Sequence, residues 1–202
     1  MKNIIFVSPV DFNALKQRHQ ELALKLANND YQIYYINPFR SNGFSCKTTK
    51  FQQNLTIIDI KIPFKASSYP VIQNIAVKIA LKLIKKKLHI KIFESLLWLA
   101  EPSYAELTSE KWQKIIYDCC DLHGNFPKQK YKTWQFYESK IAEKSDLITI
   151  SHPFIKEHFE KTLQYKCLLL PNATSFSKTE QTKTIVTKSN YYLLEPITNG
   201  LI

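Results

Sequence analysis

Apolar segments of strand length alternate with segments of helical periodicity along the chain. The compact apolar run Asn3–Val10 predicts a buried strand, and the apolar positions of Ala14–Asn28 recur at helical spacing. The β-branched and aromatic run Tyr31–Asn37 predicts a second strand, which ends at Pro38 because proline lacks a backbone donor. A strand, a helix and a strand within about 35 residues predict two parallel strands joined by a crossover helix.

The alternation continues as far as residue 170. Further strands are predicted at Leu55–Ile62, Leu96–Ala100, Ile115–Asp118, Asp146–Ser151 and Cys167–Leu170. Helices are predicted at Val71–Leu88, Lys132–Lys144 and Pro153–Thr162, with a short helix or turn at Ser103–Lys111. The polar residues 38–53 predict an irregular connection. Because strands and helices alternate and the strands are apolar throughout, we predict an α/β fold with a mostly parallel sheet and helices on both faces.

The net charge of the 202 residues is +11 and comes almost entirely from lysine. Arg18 and Arg40 are the only arginines, whereas nucleic-acid-binding proteins usually depend on arginine for bidentate contacts to phosphates and bases. We therefore expect no nucleic-acid partner. A lysine surplus fits a diffuse anionic surface such as anionic lipid, although an AT-rich genome would produce the same bias.

Lysines are concentrated in residues 61–91, which contain no acidic residue. On the helix expected there, Lys78, Lys82, Lys85 and His89 fall in one narrow stripe, with Lys86 beside it. A neighbouring apolar row consists of Ile72, Ile75, Ile79 and Leu83. Two interpretations stay open. Either the apolar row packs on the sheet and the lysines face water, or the lysines bind an anionic bilayer with about 1 kcal/mol each.

Neither the cysteines nor the glycines form a recognisable binding motif. The four cysteines include no CxxC pair, so we expect neither a disulfide framework nor a metal site. The three glycines form no GxGxxG or P-loop motif. The apolar start of the chain is too short for a signal peptide, and no apolar run approaches the ~20 residues that span a bilayer. We expect a cytoplasmic protein, with peripheral attachment to the inner face of the plasma membrane as the open alternative.

Polar residues follow several of the predicted strands. Ligands of open parallel sheets bind beyond the carboxyl ends of the strands. That rule selects residues 8–13, 37–40, 101, 118–123, 151–152 and 172–174. The candidates taken from these ranges are Ser8, Asp118, Asp121, His123, Ser151, His152 and Asn172. The carboxylates and the imidazole of Asp118–His123 can act as a general base or orient hydroxyl groups. The alternative is structural, since Asp118 and Asp121 can also cap turns and His152 can also begin a helix.

Arg18 and His19 lie near the start of the first predicted helix. A helix N-terminus favours anions, which makes both residues candidates to contact a phosphate or carboxylate group. A solvated first turn is the alternative.

Four groups of segments follow one another in a distinctive order. They are Phe6–Val10 with Lys16–Ala23, Tyr31–Pro38, Ile115–His123, and Glu138–Ala142 with Asp146–Ser151 and Leu170–Thr174. Together they resemble the N-terminal domain of GT-B-type glycosyltransferases, and most closely the bacterial enzymes of cell-surface polysaccharide and teichuronic-acid biosynthesis. The resemblance covers residues 1–176 and implies a single Rossmann-like domain. Residues 177–202 would then be a linker or tail at the start of a C-terminal domain.

The resemblance also implies a function. The chain is expected to be the acceptor-binding half of a nucleotide-sugar-dependent glycosyltransferase of cell-envelope polysaccharide biosynthesis, with a sugar or a lipid-linked sugar as acceptor. The family's cleft residues correspond to Arg18, His19, Asp121 and His123. We expect Asp121 or His123 to be the catalytic base, and Arg18 or His152 to contact an anionic group. No cofactor is expected, because the nucleotide-sugar donor is a co-substrate.

Two departures from the family pattern shape this expectation. Ala173 stands where the family has glycine, and the residues after Phe176 are too few for the second Rossmann-like domain that binds the donor. The chain is therefore expected to be a fragment of a larger enzyme, a degenerate copy, or one half of a two-chain enzyme whose partner chain supplies the C-terminal half. In each case we expect little or no transfer by the chain alone. The alternative from another class is a non-catalytic remnant or scaffold module whose basic helix binds an anionic membrane or a partner chain.

Overall fold

A computed structural model describes residues 2–125 and 131–172, which form an eight-stranded sheet and its helices. The strands are β1 Asn3–Val7, β2 Gln32–Ile36, β3 Ser45–Gln52, β4 Leu55–Lys61, β5 Ser95–Leu99, β6 Lys114–Cys119, β7 Leu147–Ile150 and β8 Cys167–Leu169. The α-helices are α1 Arg18–Asn28, α2 Pro70–Leu88, α3 Tyr131–Lys144 and α4 Pro153–His158. A 3-10 helix at Pro102–Ser109 joins β5 to β6. The tail expected at 177–202 lies outside the described residues, as do residues 173–176.

The strands are ordered β3-β4-β2-β1-β5-β6-β7-β8 across the sheet. Every neighbouring pair is parallel except β3 and β4. β1 lies between β2 and β5, so the chain order reverses at β1, and such switch points are where open α/β sheets bind ligands. The Rossmann-like, mostly parallel α/β fold expected from the sequence is confirmed.

One face of the sheet packs against α1. Ala23 and Ala27 of this helix are buried there, and their small side chains let the helix approach the strands closely. Beneath them the rings of Tyr35, Phe6 and Trp98 stack across β2, β1 and β5, with neighbouring centroids 5.5 and 5.6 Å apart. This aromatic layer fixes the centre of the sheet from which the loops of the candidate site extend.

The remaining helices cover the opposite face. The core on that side contains Ala76 and Ala80 of α2, Tyr104 of the 3-10 helix, Tyr137 of α3 and Ile155 of α4. The expectation of helices on both faces is therefore confirmed. The two apolar layers bury both sides of the parallel strands, which explains why these strands are apolar throughout instead of alternating.

The polar segment 38–53 is not irregular throughout, as its composition predicts. Ser45–Gln52 forms β3, which pairs with β4 in the antiparallel direction and ends at a two-residue turn, Gln53–Asn54. Lys47–Lys50 are exposed at the edge of the sheet. An edge strand that buries little apolar surface shows no hydrophobic period, so the pattern of apolar residues did not indicate it.

Helix α1 begins at Arg18 rather than at Ala14. The side-chain carbonyl of Gln20 accepts a hydrogen bond of 3.1 Å from the backbone nitrogen of Gln17, which satisfies one free donor at the helix start. The residues between β1 and α1 therefore form a loop at the carboxyl end of β1.

Candidate functional site

The carboxyl ends of the parallel strands meet at one edge of the sheet, which we call the carboxyl edge. Ser8 follows β1, Asp118 is the next-to-last residue of β6, and Ser151 follows β7. Helix α1 starts at the same edge with Arg18 and His19. All nine predicted catalytic and substrate-binding residues thus follow parallel strands or open α1, and hydrogen bonds connect several of them.

The centre of this edge is an ion pair between Arg18 and Asp118. The Nη2 atom of Arg18 lies 2.8 Å from Oδ1 of Asp118, and its Nε donates to both carboxylate oxygens at 3.2 Å. The Arg18 side chain is 7% exposed and the Asp118 side chain 0%. The pairing is therefore buried and of nearly bidentate geometry, in which each partner compensates the charge of the other.

Further hydrogen bonds extend this pair to two other strands. Nη1 of Arg18 donates to the carbonyl oxygen of Leu170 at 2.5 Å and to Oδ1 of Asn172 at 3.3 Å. The hydroxyl of Thr149 donates to Oδ1 of Asp118 at 2.7 Å. Arg18 thus joins the start of α1 to β6 and to the end of β8, so the structure gives it a positioning role that the sequence did not suggest. Direct contact between Arg18 and an anionic substrate stays a prediction.

His19 lies beside this network and is 4% exposed. Its Nε2 is 3.7 Å from Sγ of Cys120, and its Nδ1 has no hydrogen-bond partner among the described residues. Burial lowers the pKa of His19, while the carboxylate of Asp118 opposes that shift. The imidazole is therefore neutral at pH 7. A ligand hydroxyl group or a water molecule at this edge would satisfy its unpartnered nitrogen.

Cys120 is the residue that contacts Nε2 of His19. Burial raises the pKa of its thiol to about 12, so the sulfur is protonated at neutral pH and is not a candidate nucleophile. Its carbonyl oxygen accepts a hydrogen bond of 2.7 Å from the hydroxyl of Ser151. Ser151 therefore ties the loop after β7 to the loop after β6.

The two predicted catalytic residues lie on the loop that follows β6. Asp121 is exposed. The His123 ring stacks on the indole of Trp134 in α3, with centroids 5.4 Å apart and planes 9° from parallel. The backbone nitrogen of His123 also donates to Oε1 of Glu138 at 3.3 Å. These contacts give the His123 ring a defined orientation, two residues after the exposed Asp121.

Glu138 is a site residue that reasoning from strand ends missed, because it lies within a helix. Its carboxylate is buried, and Oε2 is 3.2 Å from Nε2 of His158. Burial raises the pKa of Glu138, and the neighbouring imidazole of His158 opposes the shift. The available signal was its position in the segment Glu138–Ala142 of the fourth motif group, but neither His123 nor His158 could be identified as its partner from that segment.

Ser8 and His152 make contacts that organise their own loops. Oγ of Ser8 accepts a hydrogen bond of 3.0 Å from the backbone nitrogen of Val10 and lies 2.7 Å from the hydroxyl of Tyr35. Nδ1 of His152 accepts a hydrogen bond of 3.2 Å from the backbone nitrogen of Phe154 and so caps α4. Both residues lie at the carboxyl edge, where their contact with substrate stays a prediction.

The four lysines predicted to face a membrane differ in their surroundings. Lys78 pairs with Glu106 at 3.1 Å, and Lys85 pairs with Glu110 at 2.8 Å. Lys82 and Lys86 are exposed. Both acidic partners lie at the 3-10 helix between β5 and β6 or just after it. They are distant in sequence, which is why a lysine run without acids did not reveal them.

No three side chains of His, Cys, Asp or Glu converge as a metal site within residues 2–125 and 131–172. None of the helices in these ranges combines the length and apolar character needed to cross a bilayer.

Known proteins resemble this chain in structure alone. No protein-family model and no curated protein matches it. A sucrose-phosphate synthase structure from Thermosynechococcus elongatus matches with a TM-score of 0.59 and 11% identity, over 86% of this chain and 91% of that chain. A structure of trehalose-6-phosphate from E. coli bound with UDP-2-fluoro glucose matches with a TM-score of 0.49 and 8% identity, over 76% of this chain and 40% of that chain.

At 11% identity, the likeness to the sucrose-phosphate synthase structure concerns the fold alone. This chain spans less than half of the trehalose-6-phosphate structure. The described residues therefore have a Rossmann-like α/β fold that is similar to that of the sucrose-phosphate synthase structure.

Proposed function

We propose that this domain is the acceptor-binding half of a nucleotide-sugar-dependent glycosyltransferase and that sugar transfer requires a donor-binding half. The observation that carries the proposal is the polar network of Arg18, Asp118 and Thr149 at the carboxyl edge, with neutral His19 beside it. Folds of this kind bind their ligands at that edge. The shared fold with sucrose-phosphate synthase agrees with this function.

Asp121 and His123 are the proposed alternatives for the catalytic base. The base takes the proton of the acceptor's hydroxyl group. The acceptor oxygen then bonds to the anomeric carbon of the donor sugar, and the nucleotide leaves with the electron pair of the bond that breaks. Asp121 is exposed, so an acceptor can reach its carboxylate. The stack of His123 on Trp134 fixes the imidazole on the same loop. Arg18 positions the site by fixing the start of α1 against Asp118 and Leu170.

We further propose that the reaction belongs to cell-envelope polysaccharide biosynthesis, with a sugar or a lipid-linked sugar as acceptor. The motif order of residues 1–176 supports this setting. The exposed side chains of Lys82 and Lys86 support peripheral attachment at the inner face of the plasma membrane.

Saturation-transfer NMR on the purified chain tests the proposal. The probes are sugar nucleotides and the pooled free and lipid-linked oligosaccharides extracted from the source cells. The oligosaccharides are expected to bind and the sugar nucleotides are not. Asp121→Asn or His123→Asn should weaken oligosaccharide binding severalfold.

Glu94→Gln is the matched control, because Glu94 is exposed near the start of β5, at the opposite edge of the sheet. It should bind oligosaccharides as the native chain does. The proposal is wrong if the pool does not bind, or if the chain alone transfers sugar from a nucleotide donor.

The second candidate function is a non-catalytic module that binds an anionic membrane or a partner chain through α2. The exposed lysines of this helix favour it. Vesicle binding without oligosaccharide binding would support this function over the first.

A further inference from the structure

The exposed stripe of α2 differs from the one that the sequence predicts. Ile72 and Ile75, which would pack on the sheet in one of the two interpretations, are 44% and 50% exposed, and Val71 is 75% exposed. The inward face of α2 consists instead of two alanines and four larger residues. The buried residues of α2 are Gln73, Ala76, Val77, Ala80, Leu81 and Ile84. The small alanines allow close packing against the 3-10 helix, so the bulkier isoleucines near the helix start remain outside.

Apolar and basic residues share this exposed stripe but occupy different ends of it. At helical spacing the stripe runs through Val71, Ile75, Lys78, Lys82 and Lys86. The first two turns are therefore apolar and the later turns are basic. Two further exposed apolar residues, Phe64 and Tyr69, directly precede the helix in the sequence. Ile72 is exposed beside Val71, and we call these residues together with Ile72 the α2 stripe.

The charge of the α2 stripe is only partly compensated. Glu106 pairs with Lys78, whereas no carboxylate in the described part of the chain lies within ion-pair distance of Lys82 or Lys86. The segment that carries the stripe contains no acidic residue. A partner must therefore accept both apolar side chains and positive charge.

We propose that the α2 stripe docks on an anionic lipid bilayer, with Val71, Ile72 and Ile75 inserted at the boundary of headgroups and acyl chains and with Lys82 and Lys86 on the anionic headgroups. An interfacial helix buries its apolar face at that boundary while long lysine side chains extend to the headgroup level. The apolar insertion replaces part of the attachment expected from lysines alone, since Lys78 and Lys85 are already paired.

The orientation connects the bilayer to the carboxyl edge. The carbonyl oxygen of Ser67 accepts a hydrogen bond of 3.0 Å from the hydroxyl of Tyr137, and Lys65 lies 5.9 Å from the ring centroid of Tyr104. The Tyr104 hydroxyl in turn accepts from the backbone nitrogen of Phe39, just after β2. Because β4 runs parallel to β2 and leads directly into this segment, the apolar end of the stripe lies at the carboxyl edge. This extends the proposed function, on which it rests, to an acceptor anchored in the membrane.

Vesicle co-sedimentation tests the docking. The probes are phosphatidylcholine vesicles with and without about one third phosphatidylglycerol. The native chain should bind the anionic vesicles and lose most of that binding in high salt, where charges are screened within a few Å. Ile72→Ser/Ile75→Ser should reduce binding about tenfold or more at low salt, and Lys82→Glu/Lys86→Glu should do the same.

Two matched variants serve as controls. Phe93→Ser removes an exposed apolar side chain elsewhere, and Lys25→Glu/Lys161→Glu reverses two exposed charges outside α2. Both should bind within about twofold of the native chain. As a direct measure of insertion, brominated lipids should quench the fluorescence of Ile75→Trp more strongly than that of Phe93→Trp.

Three outcomes would overturn the docking proposal. They are absence of binding to anionic vesicles, equal binding of Ile72→Ser/Ile75→Ser, and a dimer in sedimentation velocity that the same variant abolishes. The last outcome would assign the α2 stripe to a second copy of the chain. Oligosaccharide binding measured on the same variants is expected to be unchanged, so failure of docking and failure of the proposed function are distinguishable.

Discussion

At the scale of single residues, the buried pair of Arg18 and Asp118 is the contact on which the geometry of the carboxyl edge most depends. It joins residues that are far apart in the chain and removes both charges from water. A buried ion pair contributes little net stability compared with an apolar pair, but removal of one partner leaves an uncompensated buried charge.

Arg18→Met should therefore lower the free energy of unfolding by about 3–5 kcal/mol, since it leaves the Asp118 carboxylate unpaired. Urea denaturation followed by circular dichroism measures the change. Arg40→Met is the matched control, because the pair of Arg40 with Asp11 is largely exposed and should contribute about 1 kcal/mol or less. A loss for Arg18→Met no larger than that of the control would contradict a buried pair.

His19 should make stability depend on pH. Its folded-state pKa lies below the ordinary value of 6.5, so the unfolded chain binds more protons and stability falls as the pH drops below about 6.5. The loss stops growing once the pH is below the folded-state pKa. Between pH 6.5 and pH 5 the loss is at most about 2 kcal/mol. The raised pKa of Glu138 acts in the opposite direction, so a variant is needed to isolate His19.

The measurement is urea denaturation of the native chain and of His19→Gln at pH 7 and pH 5. The native chain should lose more stability than the variant over this interval. His89→Gln, a substitution of an exposed histidine, should behave like the native chain. Equal losses for the native chain and His19→Gln would contradict a lowered pKa.

The sequence identified Arg18 and Asp118 as candidates but not as partners. Strand ends and helix starts can be read from apolar runs, so the two residues could be assigned to one edge. Their mutual contact depends on which strands become neighbours in the sheet and on the position of α1 along the sheet. Neither can be read from a local stretch of sequence. The same reason hid the contact of His19 with Cys120.

At the scale of elements, helix α4 shows how one residue can serve both local structure and a candidate site. His152 caps its start through a hydrogen bond to the backbone nitrogen of Phe154. The helix ends at His158, earlier than the apolar pattern predicts, so it has few internal hydrogen bonds and depends on this cap.

His152→Ala should cost about 1 kcal/mol of stability, whereas His152→Ser should retain most of it because serine also accepts a hydrogen bond at a helix start. Thermal denaturation distinguishes the two variants. Oligosaccharide titration of the stable serine variant then tests substrate contact separately from folding. Equal destabilisation by both replacements would contradict the capping role.

Helix α2 marks the limit of periodicity as a guide to burial. Its hydrophobic residues occur almost all round the helix, so the pattern allowed more than one inward face. The sequence predicted its existence and nearly its ends. Ala76 and Ala80 pack inward instead of Ile72 and Ile75 because the 3-10 helix lies close to α2. No local pattern in the sequence indicates that neighbour.

At the scale of the whole molecule, the alternation of strands and helices was sufficient to predict a mostly parallel α/β sheet, but it did not reveal how the sheet ends. β3 was missed because its exposed residues carry no apolar period. Its lysines discourage further strands from adding to that edge of the sheet.

Lys47→Val/Lys50→Val should therefore increase self-association of the chain. Dynamic light scattering over several hours at 37 °C measures the growth of large particles. Lys25→Val/Lys161→Val removes the same charge from exposed positions outside β3 and should leave the particle size unchanged. Equal growth in both variants would attribute the effect to net charge instead of the strand edge.

The central position of β1 has a consequence for the order in which the chain acquires its structure. Asn3 pairs with Gln32 on one side and with Ser95 on the other. During synthesis the first partner emerges soon after β1, whereas the second emerges only after β3, β4 and α2. The half-sheet from β1 to β4 can thus form early, and its open flank has to wait for β5 before the second half is added.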